Sequence, residues 1–243
     1  MSNRLSSIIK KMVVRKNQNL VSMDEPFQTI QHLLSGEQVN NIIDAGASNG
    51  SLSRRLMQHF PKSTVYGFEP NPDYRNVLED LSRQQDKFCP QFMGLGNKDC
   101  RAVLNIAASR GNTSLYNPGE RLKDYDSNGT EILDRQEIEL VSIDSWAQQM
   151  GVNTIELMKF DIQGGELDAM QGSARILKES TLAIYTEVLF NSLYDGGAIF
   201  SDIDLFLRQC GFVLYDLYKP KYDSRGLLLW GNATFVHAER LGI

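Results

Sequence analysis

Residues 39–71, VNNIIDAGASNGSLSRRLMQHFPKSTVYGFEPN, read as strand, glycine-rich turn, helix, strand and then an acid. Ile42 and Ile43 end an apolar run at Asp44. Gly46 and Gly50 flank a tight turn, and Leu52, Leu56 and Phe60 share one stripe of the helix that follows. Val65–Phe68 is the second strand, closed by Glu69. A β-α-β unit of this kind lets backbone approach a ligand at the glycines. It also puts a carboxylate where it can accept hydrogen bonds from both ribose hydroxyls. A nucleoside-containing cofactor is the expectation. The blander alternative is a structural glycine turn between strand and helix.

The glycine spacing separates the candidate cofactors. A dinucleotide site favours G-x-G-x-x-G, in which the second glycine admits a pyrophosphate. Here the turn is Asp44-Ala45-Gly46-Ala47-Ser48-Asn49-Gly50, with an acid two residues before the first glycine. A carboxylate repels a diphosphate and attracts a cation. S-adenosylmethionine carries an ammonium and a sulfonium and no phosphate, so this stretch favours it over NAD.

The remaining chain reads as a single domain, 38–243, behind an N-terminal helical extension, 1–37. Its 243 residues and 42% hydrophobic content suit one large α/β domain. A net charge of -5 disfavours a nucleic-acid partner. The three cysteines, Cys89, Cys100 and Cys210, and the three histidines, His32, His59 and His237, have no metal spacing. Isolated cysteines fit a reducing, cytoplasmic setting. In residues 1–20, Arg4, Lys10, Lys11, Arg15 and Lys16 accompany an apolar face of Leu5, Ile8, Ile9, Met12 and Val13. That helix either packs on the domain or a homodimer partner, or lies weakly on an anionic membrane.

Further strands are expected at Phe88–Leu95, Arg101–Ala108, Glu137–Ile143, Ile155–Phe160, Leu182–Val188, Phe212–Leu217 and Leu227–Val236. Residues 109–136 are polar and turn-rich, as in a lid or binding loop. Asp144 is placed as the cap of a helix over 145–150. The turn between the last two strands is too short for a crossover helix, so they must run antiparallel. A mostly parallel seven-stranded sheet with a terminal antiparallel hairpin is the Rossmann-like class I methyltransferase pattern.

Ligands of open parallel sheets bind beyond the carboxyl ends of the strands. That rule selects Asp44, Glu69, Gly94–Gly96, Asp161 and Glu187. Asp161 could instead cap the helix near Gly164, and Glu187 could pair with a basic residue. The last strand runs the other way, so Trp230 and Asn232 lie near the site and His237 far from it. Asn112, Ser114 and Tyr116 are candidate substrate contacts. An alcohol acceptor needs a base, which Asp161 or Glu187 could supply. Together they could instead hold a divalent cation, although two acids are too few to assert a metal site.

These residues together resemble the FkbM-type S-adenosylmethionine-dependent methyltransferases over roughly residues 38–237. The glycine turn at 44–50 matches the family's D-x-G-A-N-x-G-like turn. Phe68-Glu69-Pro70 matches its F-E-P step, and Ser142-Ile143-Asp144 its strand ending before a helix. Lys159-Phe160-Asp161-Ile162-Gln163-Gly164-Gly165-Glu166 matches its K-x-D-x-[EQ]-G-x-E segment, and residues 226–236 resemble the tails of members found near polysaccharide genes. The resemblance implies O-methylation of a glycan or other small hydroxylated acceptor. It also implies that Gly46, Ala47, Ser48, Asn49 and Gly50 hold the methionine end of the cofactor and Glu69 its ribose, with Asp161 between donor and acceptor. Taken with the strand-tip reading, Asp44, Pro70, Leu95 and Asp161 join the expected cofactor-binding residues, and Asp161 and Glu187 are the expected catalytic acids. Ser48-Asn49 departs from the usual asparagine position, and Asn232 stands where an acid is frequent. Two alternatives are a non-catalytic S-adenosylmethionine-binding scaffold and a nicotinamide oxidoreductase.

Overall fold

A computed structural model describes residues 25–243; the basic segment expected to be helical at residues 1–20 lies outside them. The principal sheet contains β1 (Asn41–Ala45), β2 (Thr64–Phe68), β3 (Phe88–Gln91), β7 (Leu157–Phe160), β8 (Ala183–Leu189), β9 (Phe212–Tyr222) and β10 (Leu228–His237). Its order is β3-β2-β1-β7-β8-β10-β9. Strands β3, β2, β1, β7 and β8 are mutually parallel, and β10 runs antiparallel to both β8 and β9. This is the expected class I methyltransferase sheet. The β9–β10 turn forms because the Asp223 carboxylate accepts the N–H groups of Arg225 and Leu227, both at 2.8 Å.

Side chains alternate between two apolar layers, one on each face of the sheet. Ile42, Val65, Leu157 and Ala183 face a layer that includes Leu56 of α2 (Ser51–His59) and Leu78 and Leu81 of α3 (Arg75–Gln84). Phe27 and Ile30 of α1 (Pro26–Leu33) belong to the same layer. Ile43, Met158 and Ile184 face the other layer, with Trp146 of α5 (Ile143–Met150). Also there are Met170 of α6 (Glu166–Gln171), Ile176 of α7 (Ala174–Glu179) and Leu207 of α8 (Phe200–Gln209). Leu56 is fully buried, so its truncation to alanine should cost about 2–5 kcal/mol.

Three local expectations change. The expected strand Phe88–Leu95 divides: β3 stays in the main sheet, and β4 (Gly94–Leu95) leaves it. β4 joins β5 (Cys100–Ala107) and β6 (Ile132–Val141) in a second, three-stranded sheet of order β4-β6-β5. Gly94 permits the turn-off, since a Cβ there would lie 2.6 Å from Leu140 Cδ2. Residues 109–136 are also more ordered than their polarity suggests. They contain a 3₁₀ turn at Arg110–Asn112, α4 (Glu120–Tyr125) and the first part of β6, paired with β5 from Ala107↔Ile132 onward. Finally, Asp144 does not cap its own helix. Ser142 caps α5, while Asp144 accepts the N–H groups of Arg175 and Ile176 and so caps α7. No described helix is long and apolar enough to cross a membrane.

Candidate functional site

The ends of β1, β2, β7 and β8 converge beneath the segment 109–119. The glycine turn comes first, because β1 stops where Gly46 takes a left-handed conformation, φ +75°. A Cβ on Gly46 would stand 2.0 Å from the Asp161 carbonyl oxygen, so only glycine lets these two loops touch. The N–H groups of Gly46 and Ala47 both donate to the Phe68 carbonyl, fastening the turn to the end of β2. Gly50, also at φ +75°, starts α2.

Under this turn lies a buried ion pair. Asp44 is inaccessible, its Oδ2 accepts the Ser53 hydroxyl at 2.5 Å, and its Oδ1 lies 3.0 Å from Lys159 Nζ. Oδ1 has that charge contact but no well-aligned hydrogen-bond donor. Lys159 also donates to the carbonyls of Ala45 at 2.8 Å and Gly46 at 2.9 Å, beside its charge contact with Asp44. Burial pulls the Lys159 pKa down, but Asp44, then Asp161 and Glu69, hold it above its ordinary value. Asp44 thus has its cation inside the protein and supports the turn from below. Ala47 packs into the apolar layer, and the Asn49 side chain accepts the Ser51 N–H at 3.1 Å.

Glu69 lies at the tip of β2. Its carboxylate accepts the N–H of Ser48 at 2.8 Å and that of Asn71 at 2.9 Å. Each oxygen keeps a free lone pair for a further donor. Burial raises its pKa, against those two hydrogen bonds, which lower it. Ser48 itself sits at φ +51°, an uncommon conformation for a residue with a side chain.

Two cavities open above these tips. The first, about 250 Å³, is lined by Gly46, Ser48, Glu69, Pro70, Leu95 and Asp161 among others. Leu104 of β5 and Ile138 and Leu140 of β6 close its far side. Of the sequence-selected cofactor residues, Asp44, Ala47, Asn49 and Gly50 do not line it. The second, about 300 Å³, is lined by Asn112, Asp126, Glu187, Tyr125, Tyr194 and Trp230, with Asp161, Gln163 and Gly111 shared between both. Tyr125 meets Trp230 edge-on at 4.8 Å. Trp230 reaches this end because β10 is antiparallel. His237, at the other end of β10, lines neither cavity.

Asp161 does not cap the following helix; Glu166 accepts the N–H groups of Ile162 at 2.8 Å and Gly164 at 2.9 Å instead. Glu187 forms no ion pair among the described residues, and its carboxylate accepts a hydrogen bond from the Gln163 amide at 3.1 Å. Desolvation and then the nearby Asp161 push its pKa well above the usual carboxylate value. A carboxylate with raised proton affinity, facing a cavity, suits proton transfer. Among the described residues, no three metal-binding side chains cluster.

Sequence reasoning missed Tyr125, Tyr194 and Arg110, whose guanidinium lies 5.4 Å from the Tyr74 ring. Of the loop candidates, Asn112 lines the second cavity and Ser114 the first, while the Tyr116 hydroxyl donates to Asp168 at 2.5 Å.

The methyltransferase FkbM domain family model matches residues 44–214. The 2-O-methyltransferase NoeI of Sinorhizobium fredii is 26% identical over 162 residues, 64% of this chain and 65% of that protein. Methyltransferase 1 of Beauveria bassiana is 28% identical over 146 residues, 54% of this chain and 57% of that protein. The matched stretches span less than two thirds of either relative. Among solved structures, a fibrillarin pre-rRNA processing protein of Methanococcus jannaschii has a TM-score of 0.47 at 13% identity, covering 83% of this chain and 67% of that one. That likeness is too remote to add to the family match.

Proposed function

This chain belongs to the FkbM methyltransferase family, and from that premise we propose that it methylates a hydroxyl of a glycan or another small hydroxylated acceptor, using S-adenosylmethionine. The observation that carries the reading is the pair of cavities meeting at Asp161 and Gln163. One cavity suits the methyl donor and the other the acceptor. The first offers Glu69 for a ribose diol, an apolar wall of Leu95, Leu104 and Ile138 for a base, and Asp161 for positive charge. No lysine lines it, and its one arginine, Arg110, is set against two carboxylates, Glu69 and Asp161, so it suits a cationic nucleoside better than a polyphosphate. The second combines three aromatic rings with Asn112, Asp126 and Glu187, the mixture of flat faces and hydrogen-bonding groups that a sugar ring calls for. The name of NoeI, a 2-O-methyltransferase, agrees with transfer to oxygen.

S-adenosylmethionine supplies a methyl group already activated on a sulfonium. The protein must then bind, align and deprotonate. In our reading Gly46, Ser48, Glu69, Pro70 and Leu95 hold the cofactor, while Asp44, Ala47, Asn49 and Gly50 shape the turn that presents it. Asp161 stands between donor and acceptor. Glu187 faces the acceptor and takes the hydroxyl proton as the oxygen–carbon bond forms. An in-line approach of about 3–3.5 Å is required. We assign residues 38–243 to the catalytic domain and 1–37 to an N-terminal extension, in which α1 packs on the domain and the basic residues 1–20 serve dimerisation or weak membrane contact. The setting is cytoplasmic polysaccharide biosynthesis.

The test is calorimetric binding of S-adenosylhomocysteine and of NAD to the wild type and to Glu69→Ala, followed by methyl transfer from labelled S-adenosylmethionine to a glycan panel. Micromolar binding of S-adenosylhomocysteine alone, lost in Glu69→Ala, is expected. Tighter binding of NAD, or no binding by folded protein, would refute the cofactor assignment. Cofactor binding without transfer to any glycan would refute the acceptor class.

A further inference from the structure

Gln163 sits where the two cavities meet, and both polar atoms of its side chain are engaged. Its Nε2 donates to Asp161 Oδ1 at 2.7 Å and to Glu187 Oε2 at 3.1 Å. Its Oε1 accepts the Tyr194 hydroxyl at 2.8 Å. Its backbone carbonyl accepts the Ser114 hydroxyl at 2.6 Å, which ties the overlying 109–119 segment to the same residue. A carboxylate at this position could only accept. An amide can give one proton to each of two acids and still take one from a tyrosine. These partners also decide the amide's orientation, because the flipped rotamer would turn its carbonyl toward two carboxylates.

The backbone points the same way. Gln163 has φ +57°, a left-handed conformation held by a residue with a long side chain. Such strain persists where the surroundings over-determine it, and it gathers at functional sites. Asp161 lines both cavities, Glu187 only the second, and Gln163 is the side chain hydrogen-bonded to both acids.

We infer that Gln163 is a positioning residue that joins Asp161 and Glu187 into one hydrogen-bonded unit across the donor and acceptor cavities, with its amide oriented by Tyr194. The inference rests on the reading above that these two acids serve methyl transfer. Its physical content can be measured without the acceptor. The amide hydrogen bond favours the ionised form of Glu187, so removing it should make Glu187 harder to ionise. Placing a third carboxylate there should do so more strongly.

The experiment is a ¹³C-carboxyl NMR titration of Glu187, assigned with Glu187→Gln, in the wild type, Gln163→Leu, Gln163→Glu and Tyr194→Phe. The Glu187 midpoint is expected to rise in Gln163→Leu and to rise further in Gln163→Glu. Tyr194→Phe, the gentler change, keeps the test open should the Gln163 variants fail to fold; a smaller rise is expected there. An unchanged midpoint in Gln163→Leu, or in Tyr194→Phe if the former does not fold, overturns the inference. A merely structural role would lower thermal stability and leave the titration where it was. With an acceptor in hand, Gln163→Leu should lower kcat about ten- to hundredfold, the size expected of misaligned proton transfer. It should also move the acid limb of the pH profile upward. A wild type that binds S-adenosylhomocysteine but methylates nothing would remove the functional reading, while the titration would still judge the hydrogen-bonded unit.

Discussion

Replacing Lys159 with methionine keeps most of the side-chain volume and removes one charge from beneath the glycine turn. Asp44 would then be a buried carboxylate with only the Ser53 hydroxyl as a partner. The carbonyls of Ala45 and Gly46 would lose their ammonium donor as well. Breaking one side of a buried pair costs about 3–5 kcal/mol, chiefly because the remaining charge is uncompensated. At about 2–4 °C per kcal/mol for a domain of this size, Tm should fall by roughly 6–20 °C. Asp44→Asn with Lys159→Met leaves no orphan charge, so the double variant should lose less than the sum of the singles. Urea unfolding of the wild type, both singles and the double closes that cycle. The pH dependence has a definite sign. Lys159 is raised in the folded state, so its contribution is complete below the unfolded-state lysine pKa of about 10.4 and fades as pH rises through the higher folded value. A loss below about 1 kcal/mol in Lys159→Met, or strict additivity in the cycle, would show that the pair does not hold the turn.

Three further outcomes are expected. Gly46→Ala puts a Cβ 2.0 Å from the Asp161 carbonyl oxygen; it should abolish S-adenosylhomocysteine binding in calorimetry, and retained affinity would contradict the close contact. Glu166 is raised from 4.5 to about 7, mainly by burial. The folded state therefore holds its proton more tightly than the unfolded state, and stability should fall as pH climbs from 4.5 through about 7. Glu166→Gln should flatten that fall, which urea midpoints at several pH values in that window can check; an equal fall in both proteins would exclude the residue. Trp230→Ala should raise KM for the acceptor by about ten- to a hundredfold, in line with losing a central aromatic contact. Binding of S-adenosylhomocysteine should stay intact, and a matching loss of cofactor affinity would mean the two cavities are not separate.

Much of this architecture is written locally in the chain. The stretch from Ile42 to Glu69 switches from strand to helix and back with glycines at the change-over, so the turn and its flanking elements are legible from neighbouring residues. The antiparallel end of the sheet follows from the length of one turn. What could not be read depends on contacts between distant segments. Nothing near Asp44 announces that Lys159, on another strand, supplies its counter-charge. Glu166, rather than Asp161, takes the loop amides because the chain bends back at Gly164, φ +100°. The outer half of β6, Leu133–Gln136, is exposed or half-exposed and carries little alternation, so its pairing with β5 leaves no periodic trace. Tyr125 and Trp230 are far apart in sequence, and only the fold stands them edge to edge.

The second sheet gives the site a modular wall. Leu104, Ile138 and Leu140 close the first cavity, yet all three belong to the small β4-β6-β5 sheet and none to the seven-stranded scaffold. The scaffold carries the glycine turn and the acids; the second sheet sets how much room lies opposite them. Trimming Ile138 or Leu140 therefore enlarges the space without disturbing the ion pair under the turn. For protein engineering, this makes the small sheet the place to widen the first cavity, while the strand tips stay as they are.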